Sequence, residues 1–185
     1  MKIGGFCVLI DKETYGSFGY NCEQNSDALM KVINLDNKNH LGEIEKIMEG
    51  DNIDSNLFMY IPKIYDELCK IDEYSELFNY IKNYEFDYEE DNPKIFGNND
   101  NLYYYYIENC GSSDMHNIVN DIYTNTNNMF EKNTKSKFSI FVKAMLRALY
   151  YMKESKLGHF DIKPENIIYN ENIEPFKFRF KLIDF

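Results

Sequence analysis

The amino-acid sequence predicts a mixed α+β fold, with a β-rich first part followed by a more helical second part. Apolar segments of strand length recur up to about residue 111. Residues 139–153 then carry apolar side chains on most sides of a helical pattern, which predicts a helix buried on most of its surface. A hydrophobic content of 44% over 185 residues is sufficient for a substantial core.

Four segments of the first part predict strands, because apolar, β-branched or aromatic residues dominate each of them. They cover residues 3–10, 28–33, 61–66 and 102–111, and the last includes four consecutive tyrosines. A polar stretch over about 70–101 separates the last two strands. We expect this stretch to form an inserted loop on the surface.

A lysine lies in the middle of the second predicted strand. Burial of an ammonium group is costly without a partner, so Lys31 is expected to face anionic groups. Residues 40–49 predict a helix with an apolar face. Either Glu43 or Glu45 of this helix could pair with Lys31.

Two glycines, Gly16 and Gly19, follow the first predicted strand at a spacing that allows a backbone to approach a phosphate group. The segment 14–19 therefore predicts a phosphate-binding turn, although an ordinary hairpin turn has the same composition. An alternative places the phosphate-binding turn at residues 3–8. We favour 14–19, because the alternative needs an insertion before the next strand.

The segment 159–166 reads H-F-D-I-K-P-E-N and carries the strongest chemical signal. Its Asp161 can accept the proton of an attacking hydroxyl, and Asn166, five residues later, can hold Mg²⁺. Lys163 could neutralise charge on a transferring phosphoryl group. Asp184 follows an apolar strand and could supply a second metal ligand.

These residues resemble the eukaryotic protein kinase family. The catalytic loop of its Ser/Thr branch reads H-R-D-x-K-P-E-N, and its metal-binding turn reads D-F-G. Seven of the eight loop positions match here, and the chain continues to D-F. Tyrosine kinases usually carry a different tract between the Asp and the Asn, so Lys163-Pro164-Glu165 favours the Ser/Thr branch.

The resemblance implies a two-lobed, kinase-like fold. Residues 1–111 would form the complete small lobe and the hinge, including the insert at about 70–101, and residues 112–185 the first part of the large lobe. The implied activity is transfer of the γ-phosphoryl group of ATP to Ser or Thr hydroxyls of a protein substrate. The implied cofactors are ATP and Mg²⁺.

The same resemblance assigns roles to individual residues. Asp161 would be the catalytic base, Lys163 the phosphate contact, and Asn166 and Asp184 the Mg²⁺ ligands. The residues expected to bind the nucleotide all come from the first part: Gly16, Gly19, Ala28, Lys31, Glu43, Glu108 and Cys110.

The sequence departs from the family in two places. Phe160 replaces the Arg that in many kinases pairs with a phosphate on the activation segment, so that type of activation is not expected. The chain ends at Phe185, before the Gly of the metal-binding turn. The 185 residues alone are therefore expected to be inactive. The alternative is a truncated pseudokinase that binds nucleotide or acts as a scaffold without phosphoryl transfer.

Charge and cysteine content exclude several classes of partner. A formal net charge of −11 disfavours nucleic acids and anionic membranes, because both attract basic surfaces. No stretch of about 18 apolar residues is present to span a membrane. We expect a reducing, cytoplasmic location and no zinc site, because the cysteines are widely spaced: Cys7, Cys22, Cys69 and Cys110.

Overall fold

The protein has a mixed α+β fold, as the sequence predicts, and its sheets are antiparallel. The computed structural model describes residues 7–23, 27–34, 47, 53–83, 102–111, 113–115, 132–159, 161–170 and 180–184. The chain divides into two compact units. The first comprises Met1–Glu49 and Ile64–Asn109, and the second comprises Gly50–Lys63 and Cys110–Phe185.

The first unit contains a four-stranded antiparallel sheet in the order β1-β2-β4-β3. Its strands are β1 (Cys7–Ile10), β2 (Ala28–Asn34), β3 (Ile64–Lys70) and β4 (Leu102–Glu108). The tyrosine-rich strand β4 lies at the centre, between β2 and β3. Aromatic side chains suit this position because they pack well on a pleated surface.

Two short helices, α1 (Lys12–Ser17) and α2 (Glu76–Lys82), pack on one face of this sheet. The side chain of Asp11 caps α1 by accepting from the Thr14 N–H at 2.8 Å, and the side chain of Ser75 caps α2. The core beneath the helices is apolar and aromatic: Ile10, Tyr15, Ala28, Met30, Val32, Ile71, Leu77, Phe78, Ile81, Leu102 and Tyr106.

Helix α1 corrects the prediction of a phosphate-binding turn at residues 14–19. Tyr15 drives the helical conformation, because its ring is fully buried and lies edge-on to Tyr106 with a centroid distance of 5.3 Å. Its hydroxyl donates to the Ala28 backbone oxygen at 3.1 Å. Burial raises the pKa of this phenol. Both ends of the Tyr15 side chain are thus fixed in the core.

Helix α2 corrects the prediction of a surface loop over residues 70–101. Leu77, Phe78 and Ile81 recur on one side of the helix and are buried, as is Ile71 just before it. This spacing of apolar residues is a helix signal within a stretch whose overall polarity suggested a loop. The remainder of the predicted insert, 84–100, lies outside the described residues.

The second unit contains helix α3 (Lys132–Glu154) and a three-stranded antiparallel sheet in the order β5-β6-β7. The strands are β5 (Ser113–Asp114), β6 (Ile167–Tyr169) and β7 (Phe180–Leu182). Phe141 of α3 packs against Phe180 of β7 with ring centroids 4.9 Å apart. Two 3₁₀ helices, Ser55–Met59 and Pro164–Asn166, complete the unit.

Helix α3 is longer than the predicted 139–153 and is less buried than expected. Its buried stripe consists of Ala144, Ala148 and Met152 at four-residue intervals. Larger apolar side chains on its other sides are exposed: Val142, Leu146, Leu149 and Tyr150. Apolar content alone therefore overestimated the burial of α3, because two of the three residues in its buried stripe are small alanines. Among the described residues, no helix is long and apolar enough to cross a lipid bilayer.

Candidate active site

The loop 159–166 lies in the second unit, immediately before β6, and Asn166 is the best-buried of its described side chains, with 5% exposure. Pro164 begins the short 3₁₀ helix that places Asn166 under the loop, and the Asn166 N–H donates to the Lys163 oxygen at 3.0 Å. The side-chain nitrogen Nδ2 of Asn166 donates to the Asp161 backbone oxygen at 2.9 Å and to Oδ2 of its carboxylate at 3.1 Å. One amide thus fixes both the backbone and the side chain of Asp161.

These two contacts also fix the orientation of the Asn166 amide. A flipped amide would place its oxygen against two acceptors, so Nδ2 must face Asp161. The amide oxygen Oδ1 then faces away from Asp161. Within the described part of the chain, no donor reaches this oxygen, although the side chain is almost fully buried. A buried acceptor in this state has capacity for a cation or another external donor.

Lys163 forms an ion pair with Asp161, with 2.7 Å between Nζ and Oδ2. The hydrogen bond from Lys163 is the largest of several effects that lower the pKa of the Asp161 carboxyl. The same bond raises the pKa of Lys163. Both side chains remain open to solvent, at 47% exposure for Lys163 and 59% for Asp161. The pair is therefore accessible to a ligand.

The ring of His159 connects this loop to the segment after β7. Its Nδ1 accepts from the Asp161 N–H at 3.2 Å, so the hydrogen of the neutral ring must lie on Nε2. Nε2 then donates to the Ile183 oxygen at 2.8 Å. The Ile183 N–H in turn donates to the Asn166 backbone oxygen at 2.9 Å. The residue just before Asp184 is thus held through both of its backbone polar groups.

Asp184 is exposed and has a positive φ of 60°, which is uncommon for a residue with a side chain. Its charge contributes to the raised pKa of Lys163, after the larger effects of Asp161 and Glu165. The structure therefore gathers Asp161, Lys163, Asn166 and Asp184 in one region of the second unit. Among the described residues, no group of three or more His, Cys, Asp or Glu side chains could hold a metal ion.

Lys31 lies in the first unit, at the middle of β2. It pairs with Leu9 of β1 and with Tyr105 of β4, and its side chain is half-buried. Because side chains alternate along a strand, Lys31 shares a sheet face with Ile33, which is buried, and with Leu29. The helices α1 and α2 pack on the opposite face.

The predicted contact of Ala28 with a nucleotide stays a prediction, and the burial of this residue does not favour it. Ala28 is 1% exposed and packs in the core with Met30 and Val32, on the face opposite Lys31. Leu29 is the residue that shares the Lys31 face and is half-buried. Because side chains alternate along a strand, the residue two positions before Lys31 lies on the same face, and this residue is Leu29.

Gly16 lies within helix α1 and Gly19 follows its end, so the backbone at residues 14–19 differs from the predicted turn. Gly19 has φ +82° and directly follows the last residue of the α1 cap, a position where glycine commonly ends a helix. Its N–H donates to the Gly16 oxygen at 3.0 Å. Gly16 lies inside α1, and an added methyl group there would meet no atom within 4 Å. The local backbone therefore does not require glycine at position 16.

The segment predicted to contact adenine lies where the chain passes from one unit to the other. Glu108 ends β4 in the first unit, and Cys110, which is 6% exposed, belongs to the second unit. Gly111 follows with φ +110°. Their adenine contacts stay a prediction. Glu43, the proposed partner of Lys31, lies outside the described residues, as does Phe160.

No model of a known protein family matches this chain. The functional assignment therefore depends on the residues of the loop 159–166 and on their geometry. The part played by Ile183, whose backbone connects His159 and Asn166 to the neighbourhood of Asp184, was not predicted. Backbone hydrogen bonds depend on the course of the chain, so no residue pattern indicated this one.

Proposed function

We propose that the chain carries the catalytic loop of a protein serine/threonine kinase. The observation that carries this proposal is the arrangement of Asn166. Its amide nitrogen fixes Asp161, while its amide oxygen is buried without a donor among the described residues. Phosphoryl transfer requires a residue that orients the attacking hydroxyl beside a group that holds Mg²⁺, and these two neighbours meet both needs.

Asp161 is suited to orient a hydroxyl group and accept its proton. The contacts of its carboxylate with Asn166 and Lys163 both use Oδ2. The other oxygen, Oδ1, has no partner among the described residues and belongs to a side chain that is 59% exposed. Because the pKa of Asp161 is lowered, the group is ionised at neutral pH and can accept the hydrogen of a substrate Ser or Thr.

The donor set fits Mg²⁺. Asn166 Oδ1 and the carboxylate of Asp184 are both oxygen ligands, and Mg²⁺ commonly takes only one or two protein ligands beside phosphates and water. Bound Mg²⁺ would supply neutralisation of the charge on the β- and γ-phosphates of ATP. Lys163 would contact the transferring phosphoryl group, since its ammonium group lies next to the Asp161 carboxylate.

The proposal extends to the rest of the chain. The first unit would be the small lobe of a two-lobed kinase, and Lys31 would contact the α- and β-phosphates of ATP. The second unit would be the first part of the large lobe. The central position of the tyrosine-rich strand β4 and the antiparallel order of the four-stranded sheet support this assignment. The substrates would be proteins in the reducing interior of the cell.

A binding and transfer experiment tests the proposal, with ATP binding measured on the 185 residues and transfer measured on the longest natural form of the protein that contains them. Binding of Mg-ATP is measured by calorimetry, and transfer of labelled γ-phosphate to casein and to myelin basic protein is measured in parallel. Asp161→Asn should lower transfer by about 10²- to 10⁴-fold without loss of ATP binding. Lys31→Met should weaken ATP binding. The exposed residue Glu154 at the end of α3 provides a control, and Glu154→Gln should change neither.

The outcomes separate the possible functions. Transfer that depends on Asp161 supports the kinase. ATP binding with no transfer by the unchanged chain would instead support the nucleotide-binding module that the resemblance also allows. Absence of both would overturn the proposal.

A further inference from the structure

Lys181 is a buried lysine that the proposed chemistry does not use. It lies in the middle of β7 and is 5% exposed. Its ammonium group donates to the backbone oxygens of Phe58 and Ile61, both at 3.3 Å. These oxygens lie at and just beyond the end of the 3₁₀ helix Ser55–Met59. Free carbonyl groups at a helix end favour a cation, which offsets part of the cost of burying the charge.

The turn at residues 58–61, which supplies these two oxygens, is also attached to β7 by a backbone hydrogen bond. The Leu182 N–H donates to the Tyr60 oxygen at 2.7 Å. The segment is also tied to α3, where the Ser155 hydroxyl accepts from the Asp54 N–H at 3.1 Å and Tyr151 stacks on Tyr60. The turn at residues 58–61 is thus a fixed part of the second unit, and it supplies carbonyl groups to β7.

Strand β7 is consequently held along both edges. On one edge it pairs with β6, with Lys181 opposite Ile168 and Leu182 opposite Ile167. On the other edge it meets the turn at residues 58–61. Asp184 follows two residues after Leu182 and adopts its positive φ of 60°. A side-chain-bearing residue keeps this conformation only where the surrounding structure fixes it.

We propose that Lys181 is a positioning residue for Asp184. Its ammonium group locks the turn at residues 58–61 onto β7, and the fixed strand holds the following segment in the conformation that presents the Asp184 carboxylate. The anchoring depends only on the contacts of Lys181. The benefit to metal binding rests on the proposed function, in which Asp184 is a ligand of Mg²⁺.

The first arm of the test measures anchoring without reference to activity. Hydrogen exchange of individual amides is followed in the full chain, in Lys181→Met and in Lys153→Met. Lys153 is an exposed lysine in the last turn of α3 and provides the matched control. The amides of Leu182 and Ile183 should exchange at least about tenfold faster in Lys181→Met, because local opening of β7 becomes easier. The amides of β4 should be unchanged, and so should all amides of Lys153→Met.

The second arm measures the metal dependence of nucleotide binding. Titration with the ATP analogue AMP-PNP at increasing Mg²⁺ gives the Mg²⁺ concentration for half-maximal binding. Loss of a residue that supports a metal ligand typically costs about 10- to 100-fold in metal affinity, so this concentration should rise by that factor in Lys181→Met. Lys181→Gln, which keeps a shorter donor, should restore part of the loss. A residue that only stabilised the fold would shift the melting temperature without shifting the Mg²⁺ requirement.

The two arms separate two kinds of failure. Unchanged exchange at Leu182 and Ile183 overturns the anchoring role, whatever the ligand data show. Faster exchange with an unchanged Mg²⁺ requirement overturns the positioning of Asp184 for metal binding. If the unchanged chain binds no AMP-PNP at any Mg²⁺ concentration, the proposed function fails and the exchange arm alone decides the role of Lys181. If Lys181→Met does not fold, Lys181→Gln carries both measurements.

Discussion

Asn166 holds Asp161 with one side-chain nitrogen, which donates to the backbone oxygen at 2.9 Å and to the carboxylate at 3.1 Å. This arrangement explains why five residues separate the two in sequence. Lys163 is extended and Pro164 begins a short 3₁₀ helix, which brings Asn166 back beneath Asp161. The pair therefore acts as one unit, and the loss of either member should affect both.

If the proposed function is right, Asn166→Ala should lower phosphoryl transfer by about 10²-fold or more, because Asp161 loses its orientation and the buried amide oxygen is removed. It should also cost about 1–3 kcal/mol in the free energy of unfolding, since the Asp161 backbone oxygen loses a buried donor. Kinase assays and urea unfolding measure the two effects. Asn79 is exposed on α2, and Asn79→Ala is the control. Equal effects of the two substitutions would contradict the assigned role.

Lys163→Met should raise the pKa of Asp161 toward the ordinary value for aspartate. The hydrogen bond from Lys163 is the largest cause of the lowered pKa, and the substitution removes it together with the positive charge. A raised pKa moves the acid limb of the pH–rate profile to higher pH, because protonation of Asp161 then begins at higher pH. Carbon-13 NMR titration of the Asp161 carboxyl group measures the shift directly. A titration identical to that of the Lys153→Met control would refute this prediction.

Ala28→Leu should destabilise the first unit, because Ala28 is 1% exposed within the core beneath α1 and α2. Insertion of a larger side chain into a packed core costs about 1–3 kcal/mol. Leu29→Met conserves volume at a half-buried position on the other face, so its cost should stay below about 1.5 kcal/mol. Urea unfolding of both variants measures the difference. A tolerant Ala28 site would imply that this position is open to a ligand after all.

Gly111→Ala and Gly16→Ala should act in opposite directions. Gly111 has φ +110°, and a Cβ there would lie 3.3 Å from the Cβ of Asn170, so alanine should cost about 1–3 kcal/mol. Gly16 lies in α1 with open space around it, so alanine should stabilise the helix by up to about 1 kcal/mol. Thermal unfolding measures both. If Gly16→Ala weakened binding of Mg-ATP while it stabilised the fold, the phosphate-binding turn would have to be reconsidered.

Prediction of the structure from the sequence succeeded where the signal lies within a short stretch of chain. The interval between Asp161 and Asn166 predicted two side chains at one place, and the loop brings them into contact. The tyrosine-rich segment at 102–111 predicted a strand, and β4 is central in its sheet. In each case a short stretch of chain contains both the signal and its structural consequence.

Prediction was poorer where a local pattern had two interpretations. The glycines at 16 and 19 suggested a turn, while Asp11 as a capping residue and Tyr15 as a core side chain direct the same stretch into helix α1. The burial of Lys181 had no local signal. Its partners are backbone oxygens 120 and 123 residues earlier in the chain, and a backbone oxygen is present at every residue.

The segment Gly50–Lys63 has a consequence for synthesis of the chain. It lies between two parts of the first unit but belongs to the second, and Lys181 follows Phe58 by 123 residues. At ribosomal speeds, on the order of ten seconds passes before these partners have both been made. The described strands of the first unit are all present once β4 emerges, whereas the buried residues Leu57 and Ile61 belong to the second unit, most of which is made later. Until about 120 further residues have been made, this apolar stretch therefore lacks its contacts with β7, and a chaperone that binds exposed apolar segments would protect it.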